Sequence, residues 1–97
     1  MMRSLLLASS LTIISFNSMA SKVDTAANML ADMTSCVIKY EDAGQRHKAN
    51  AMQKTLQLTL DRAVSKYGSE VSQKYQEKVG IASPSMSRCD SLYDATN

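Results

Sequence analysis

The sequence predicts an all-α fold, a small three- to four-helix bundle with one disulfide, on three observations. Beyond residue 20 the apolar residues recur at steps of three and four and never alternate, so the period is that of a helix. The three glycines and the single proline fall between those periodic stretches, where helices stop and start. Only two cysteines are present, Cys36 and Cys89, one near each end of the periodic region. A chain of 97 residues makes one domain at most.

The amino end reads Met1, Met2, Arg3, then an apolar stretch from Ser4 to Phe16, then Asn17-Ser18-Met19-Ala20. One positive charge, about a dozen apolar residues and small side chains at Ser18 and Ala20 match a secretory signal cut after Ala20. Such a run is shorter than the roughly 20 apolar residues of a spanning helix, so no stable membrane anchor is expected. No cysteine follows it, which closes the lipoprotein route. Residues 1–20 are therefore read as an export leader of bacterial type, and residues 21–97 as a single helical domain delivered to the periplasm.

Val23, Ala26, Ala27, Leu30, Met33, Val37 and Tyr40 make one face of a helix over about residues 22–42, with Cys36 at its edge and Gly44 as a stop. Ala49, Met52, Leu56, Leu60, Ala63, Val64 and Tyr67 continue the same period over about 45–67, closed by Gly68. Ser69 is expected to cap a short third helix over about 70–79, whose face holds only Val71, Tyr75 and Val79 before Gly80. Ile81 to Ser85 is expected to be a loop. Within it Ser83 would cap a last helix with Pro84 at its first position, where a missing N–H costs nothing. That helix would turn Met86, Cys89, Leu92 and Tyr93 inward.

Removing residues 1–20 takes away Arg3 and no acid, leaving ten basic and nine acidic residues. Their signs are interspersed, as in Lys22, Asp24, Asp32, Lys39, Glu41 and Asp42, so no basic stripe offers counterion release and nucleic acid is excluded as a partner. In an oxidising compartment Cys36 and Cys89 are expected to pair. Closing a loop of roughly 54 residues would stabilise the fold by about 4 kcal/mol, comparable with the whole net stability of so short a chain. Two distant cysteines and the lone His47 make a poor metal set, so no metal and no cofactor are expected.

Catalytic constellations are missing. His47 stands between Arg46 and Lys48 at a helix start and reads as a solvated side chain. Glu41 and Asp42 are adjacent, and adjacent helical residues point about 100° apart, too far to share a proton. No nucleophile elbow, phosphate loop, dinucleotide fingerprint or zinc-protease motif occurs. Met33, Met52 and Met86 fall on apolar faces and read as core, as do the rings of Tyr40, Tyr67, Tyr75 and Tyr93 with their hydroxyls at the rim. The chain is thus read as a protein that acts by contact and not as an enzyme.

The segment Met86-Ser87-Arg88-Cys89-Asp90-Ser91-Leu92-Tyr93-Asp94 resembles the closing motif of periplasmic immunity proteins that neutralise type VI secretion amidase effectors. Asp32-Met33-Thr34-Ser35-Cys36 on a first helix and Lys66-Tyr67-Gly68 closing a middle one sit where that family would place comparable features. The resemblance implies an all-helical protein, often a homodimer, that plugs the groove of a peptidoglycan-cleaving amidase. The docking element expected here is Ile81-Ala82-Ser83-Pro84-Ser85, with Ile81, Ser83, Pro84 and Ser85 as partner-binding residues. Two other classes fit the size and architecture: an acid-activated periplasmic chaperone, and an accessory subunit of an envelope secretion system.

Overall fold

A computed structural model describes residues 20–97 with their side chains and residues 2–19 as backbone alone. Four helices follow one another: α1 (Met2–Asp42), α2 (Arg46–Tyr67), α3 (Ser69–Val79) and α4 (Met86–Thr96). Among the described residues there is no strand. The all-α bundle with one disulfide is therefore the fold.

α1 is the axis of the molecule, and the reason can be read residue by residue. Asp32, Met33, Thr34, Ser35 and Cys36 point in directions about 100° apart, covering more than a full turn. Each finds a partner. Asp32 pairs with Arg88 of α4, Met33 lies in the core, and Thr34 shares a hydrogen bond with Tyr75 of α3. Ser35 donates to the carbonyl of Ala82 in the α3–α4 connector, and Cys36 is bonded to Cys89. A helix that satisfies successive residues in this way is enclosed by its neighbours, so its buried set is wider than one amphipathic stripe and includes Ala31 beside Leu30.

Among the described side chains the core falls into two clusters. One holds Met33, Cys36, Tyr40, Ala49, Met52, Cys89 and Leu92, from α1, α2 and α4. The other holds Val23, Ala27, Leu30, Ala63 and Val71, from α1, α2 and α3. Leu56 of α2 packs against both and joins them. As its thin apolar face predicts, α3 contributes a single fully buried residue, Val71.

Two boundaries differ from the sequence reading. Ser69 does not cap α3: it is the first helical residue, and Gly68 serves both as the C-cap of α2 and as the N-cap of α3 without any side-chain hydrogen bond. Its backbone, φ 82° and ψ −169°, lies in a region essentially reserved for glycine, and this lets two helices meet with no intervening loop. Nor does Ser83 cap α4. Ser85 takes that role, its Oγ accepting from the amide of Arg88 at 3.1 Å, so Pro84 precedes the cap instead of following it. The two serines have equal capping chemistry, and burial of Pro84 decides between them, because the chain is still packing as a connector at that point.

α1 also begins earlier than residue 22 and passes through the expected leader junction without a break. The expectation that residues 1–20 form a removable leader falls, except for Ala20, outside the residues described with side chains. No helix among the described residues is long and apolar enough to cross a membrane.

Candidate functional site

The disulfide end carries the densest polar chemistry. Cys36 and Cys89 are fully buried, bonded, with their Cα atoms 5.4 Å apart. One turn further along α1, the ring of Tyr40 is fully enclosed and its hydroxyl donates to Oδ1 of Asp90 at 2.8 Å. Tyr93 meets Tyr40 edge to face, with ring centroids 6.2 Å apart. Lys48 from α2 places its ammonium 5.2 Å from the Tyr93 centroid and 5.6 Å from that of Tyr40, and 3.7 Å from the same Asp90 oxygen. Burial, then the hydrogen bond and negative charge of Asp90, push the Tyr40 hydroxyl well above the ordinary phenol range. A phenol kept neutral, enclosed and committed to a carboxylate is a structural donor.

The segment from Met86 to Asp94 is thereby accounted for in packing terms. Arg88 reaches Asp32 at 3.4 Å, Asp90 accepts from Tyr40, Leu92 is buried, and Met86 and Tyr93 pack against the first cluster. Of these roles sequence reasoning missed two, the pairing of Arg88 with Asp32 and that of Asp90. For Asp90 no partner was foreseen. Its only signal was a carboxylate beside a cysteine on a short helix, which does not say where Tyr40 ends.

The connector expected to dock divides sharply. Ile81 is 81% exposed, the most exposed large apolar side chain described. Ser83 and Ser85 are exposed as well, although Ser85 is also the cap of α4. Pro84 is buried and cannot touch a partner. The amides of Ile81 and Ala82 both donate to the carbonyl of Lys78, and Ser35 holds the Ala82 carbonyl at 3.3 Å, so the connector is fastened to α3 and α1 before α4 begins.

Two further exposed apolar residues were not foreseen: Ile38 on α1 and Leu58 on α2, at 56% and 59%. Ile38 lies one turn beyond Ser35 on α1, the residue that seats the connector.

Elsewhere the surface offers shallow grooves without converging reactive groups. One is lined by Ser21, Lys22, Thr25, Ala26, Met29 and Tyr67, another by His47, Asn50, Ala51 and Lys54. His47 is exposed, as are Glu41 and Asp42 at the end of α1. Both cysteine sulfurs are consumed in the bridge, and no group of three metal-ligating side chains gathers among the described residues. Compared with protein-family models, with curated proteins and with solved structures, the chain finds no match.

Proposed function

We propose that this chain is an exported, disulfide-locked docking protein, and specifically a periplasmic immunity protein that occupies the groove of a peptidoglycan amidase delivered by a type VI secretion system. The observation that carries the docking part is Ile81, an apolar side chain held out in solvent on a connector whose backbone is fixed on both sides. An anchor presented this way loses little conformational freedom on binding, so its burial turns into affinity with a small entropic cost. Ser83 beside it supplies a polar rim. The amidase part rests on the resemblance of residues 86–94. In this reading the chain performs no turnover, and its disulfide keeps the docking face stiff in the oxidising periplasm.

The test is binding of the purified protein to a small secreted peptidoglycan amidase encoded beside it. Ile81→Asp should weaken binding at least about thirtyfold, the loss of a central anchor, while helicity and melting temperature stay unchanged. His47→Ala should leave binding as it is. Wild-type affinity in Ile81→Asp, with the fold intact, would refute the assignment of the docking element.

A second reading has one observation in its favour. Among the described residues, the three ion pairs between helices, Asp24–Lys78, Asp32–Arg88 and Asp90–Lys48, each depend on an aspartate. Ties of this kind between helices are ones that an acid-activated chaperone would give up on loosening. That protein would hold unfolded clients only at low pH, whereas the immunity protein binds one folded enzyme at neutral pH.

A further inference from the structure

We infer that the bond between Ala20 and Ser21 is open to a leader peptidase only before the α1–α3 end of the bundle closes, so that processing of the chain is gated by its own folding. This rests on the reading of residues 1–20 as an export leader. The reaction is a hydrolysis: water adds across the Ala20–Ser21 peptide bond, leaving a carboxylate on Ala20 and an ammonium on Ser21.

A peptidase holds the residues flanking the scissile bond as an extended strand, since the attacked carbonyl must be open and neighbouring backbone groups must bond to the enzyme. In the folded chain those residues are helical, because α1 continues through residues 20 and 21. Ala20, Ser21 and Lys22 expose their side chains, but the slack ends there. Val23 is only 4% exposed, packed in the second core cluster with Val71. Asp24 is held by Lys78 of α3 at 3.1 Å, and Thr25 donates from Oγ1 to the carbonyl of Ser21 at 2.9 Å. Drawing Ser21 to Asp24 into an extended strand therefore pulls Val23 from the core, breaks the tie to α3 and releases the Ser21 carbonyl. Cleavage of the closed bundle must wait for that end to open.

The residues after the bond are also suited to a helix that starts there. Ser21 and Asp24 have the spacing of a capping box, serine followed three residues later by an acid. Once Ser21 becomes the terminus, Asp24 places a negative charge in the first turn, opposite the new ammonium and favourable to the helix dipole. Within the intact chain that spacing has no capping role, because the helix does not begin there.

The experiment uses the full-length precursor with its disulfide formed, a bacterial-type leader peptidase in detergent, and mass spectrometry of the new amino terminus. Two comparison substrates are needed: the precursor carrying Val71→Asp, which opens the α3 end without altering residues near the bond, and a synthetic peptide of residues 12–30. The folded wild-type precursor should be cut at least about tenfold more slowly than the Val71→Asp precursor, whose rate should approach that of the peptide. Equal rates for the two precursors would overturn the gating. If none of the three substrates, the peptide included, is cut after Ala20, the leader reading itself falls and the inference with it.

Discussion

At one end of the bundle α4 is joined to α1 by a covalent bond beside an enclosed tyrosine, while at the other α3 is held by one buried valine, one ion pair and one hydroxyl contact. The side chains differ in kind. The first cluster is filled by Met33, Met52, Leu92 and the ring of Tyr40, the second by Leu30, Val23, Val71, Ala27 and Ala63, with Tyr67 and Tyr75 packed against it. Both ends bury apolar side chains against α1, so what sets the disulfide end apart is the cross-link. The difference teaches that α4 is tied to α1 covalently, whereas α3 is held by packing and polar contacts alone, so the α3 end is the one that can open without breaking a covalent bond.

The largest expected effect comes from removing the cross-link. Cys89→Ser should cost about 4 kcal/mol, lowering the melting temperature by on the order of 20 °C under oxidising conditions. In excess reductant it should match wild type, and an equal loss in both conditions would show that the cysteine stabilises by packing alone. Val71→Ala comes next, at about 2 kcal/mol for a truncated buried side chain. Hydrogen exchange should then quicken in α3 and around Val23 while α4 amides keep their protection. Uniform acceleration would mean that the two ends unfold as one unit.

Tyr40→Phe should cost about 1 kcal/mol at neutral pH for the lost bond to Asp90. Its sharper reading is in alkali. The Tyr40 hydroxyl titrates higher in the folded chain than in the unfolded one, so its contribution is complete below pH 10, where the unfolded phenol still carries its proton. As pH rises above 10 the unfolded chain ionises first, and stability falls until the folded hydroxyl ionises too. Wild type should therefore weaken above pH 10 more steeply than Tyr40→Phe in thermal melts at stepped pH, and parallel curves would dismiss the enclosed phenol as the cause. The smallest effect belongs to Lys78→Gln, at most about 0.5 kcal/mol because the pair with Asp24 is partly solvated. That loss should shrink further in high salt.

Much of this could be read from the residues alone. The period of Ala49, Met52, Leu56 and Ala63 located α2, the gap at Gly68 separated it from α3, and two cysteines in a chain with an export-like start suggested their pairing. The connector from Ile81 to Ser85 was located too, but its sidedness was not. Nothing local tells that Pro84 turns inward while Ile81 stays in water, since both are apolar residues of one short loop. The choice of Ser85 over Ser83 as cap was hidden for the same reason, and the bond from Tyr40 to Asp90 spans 50 residues of sequence.

By itself the sequence determined which segments are helical, where they stop and which sulfurs can join, because those outcomes depend on spacing within a few residues or on there being a single possible pair. Only the tertiary structure decided that α1 is packed on successive faces, that the core splits into a cross-linked half and a half held by packing and polar contacts alone, and that Ile38 and Ile81 remain outside. Each of those is settled by which helix arrives on which side of α1, and that is a competition among distant surfaces for the same apolar area.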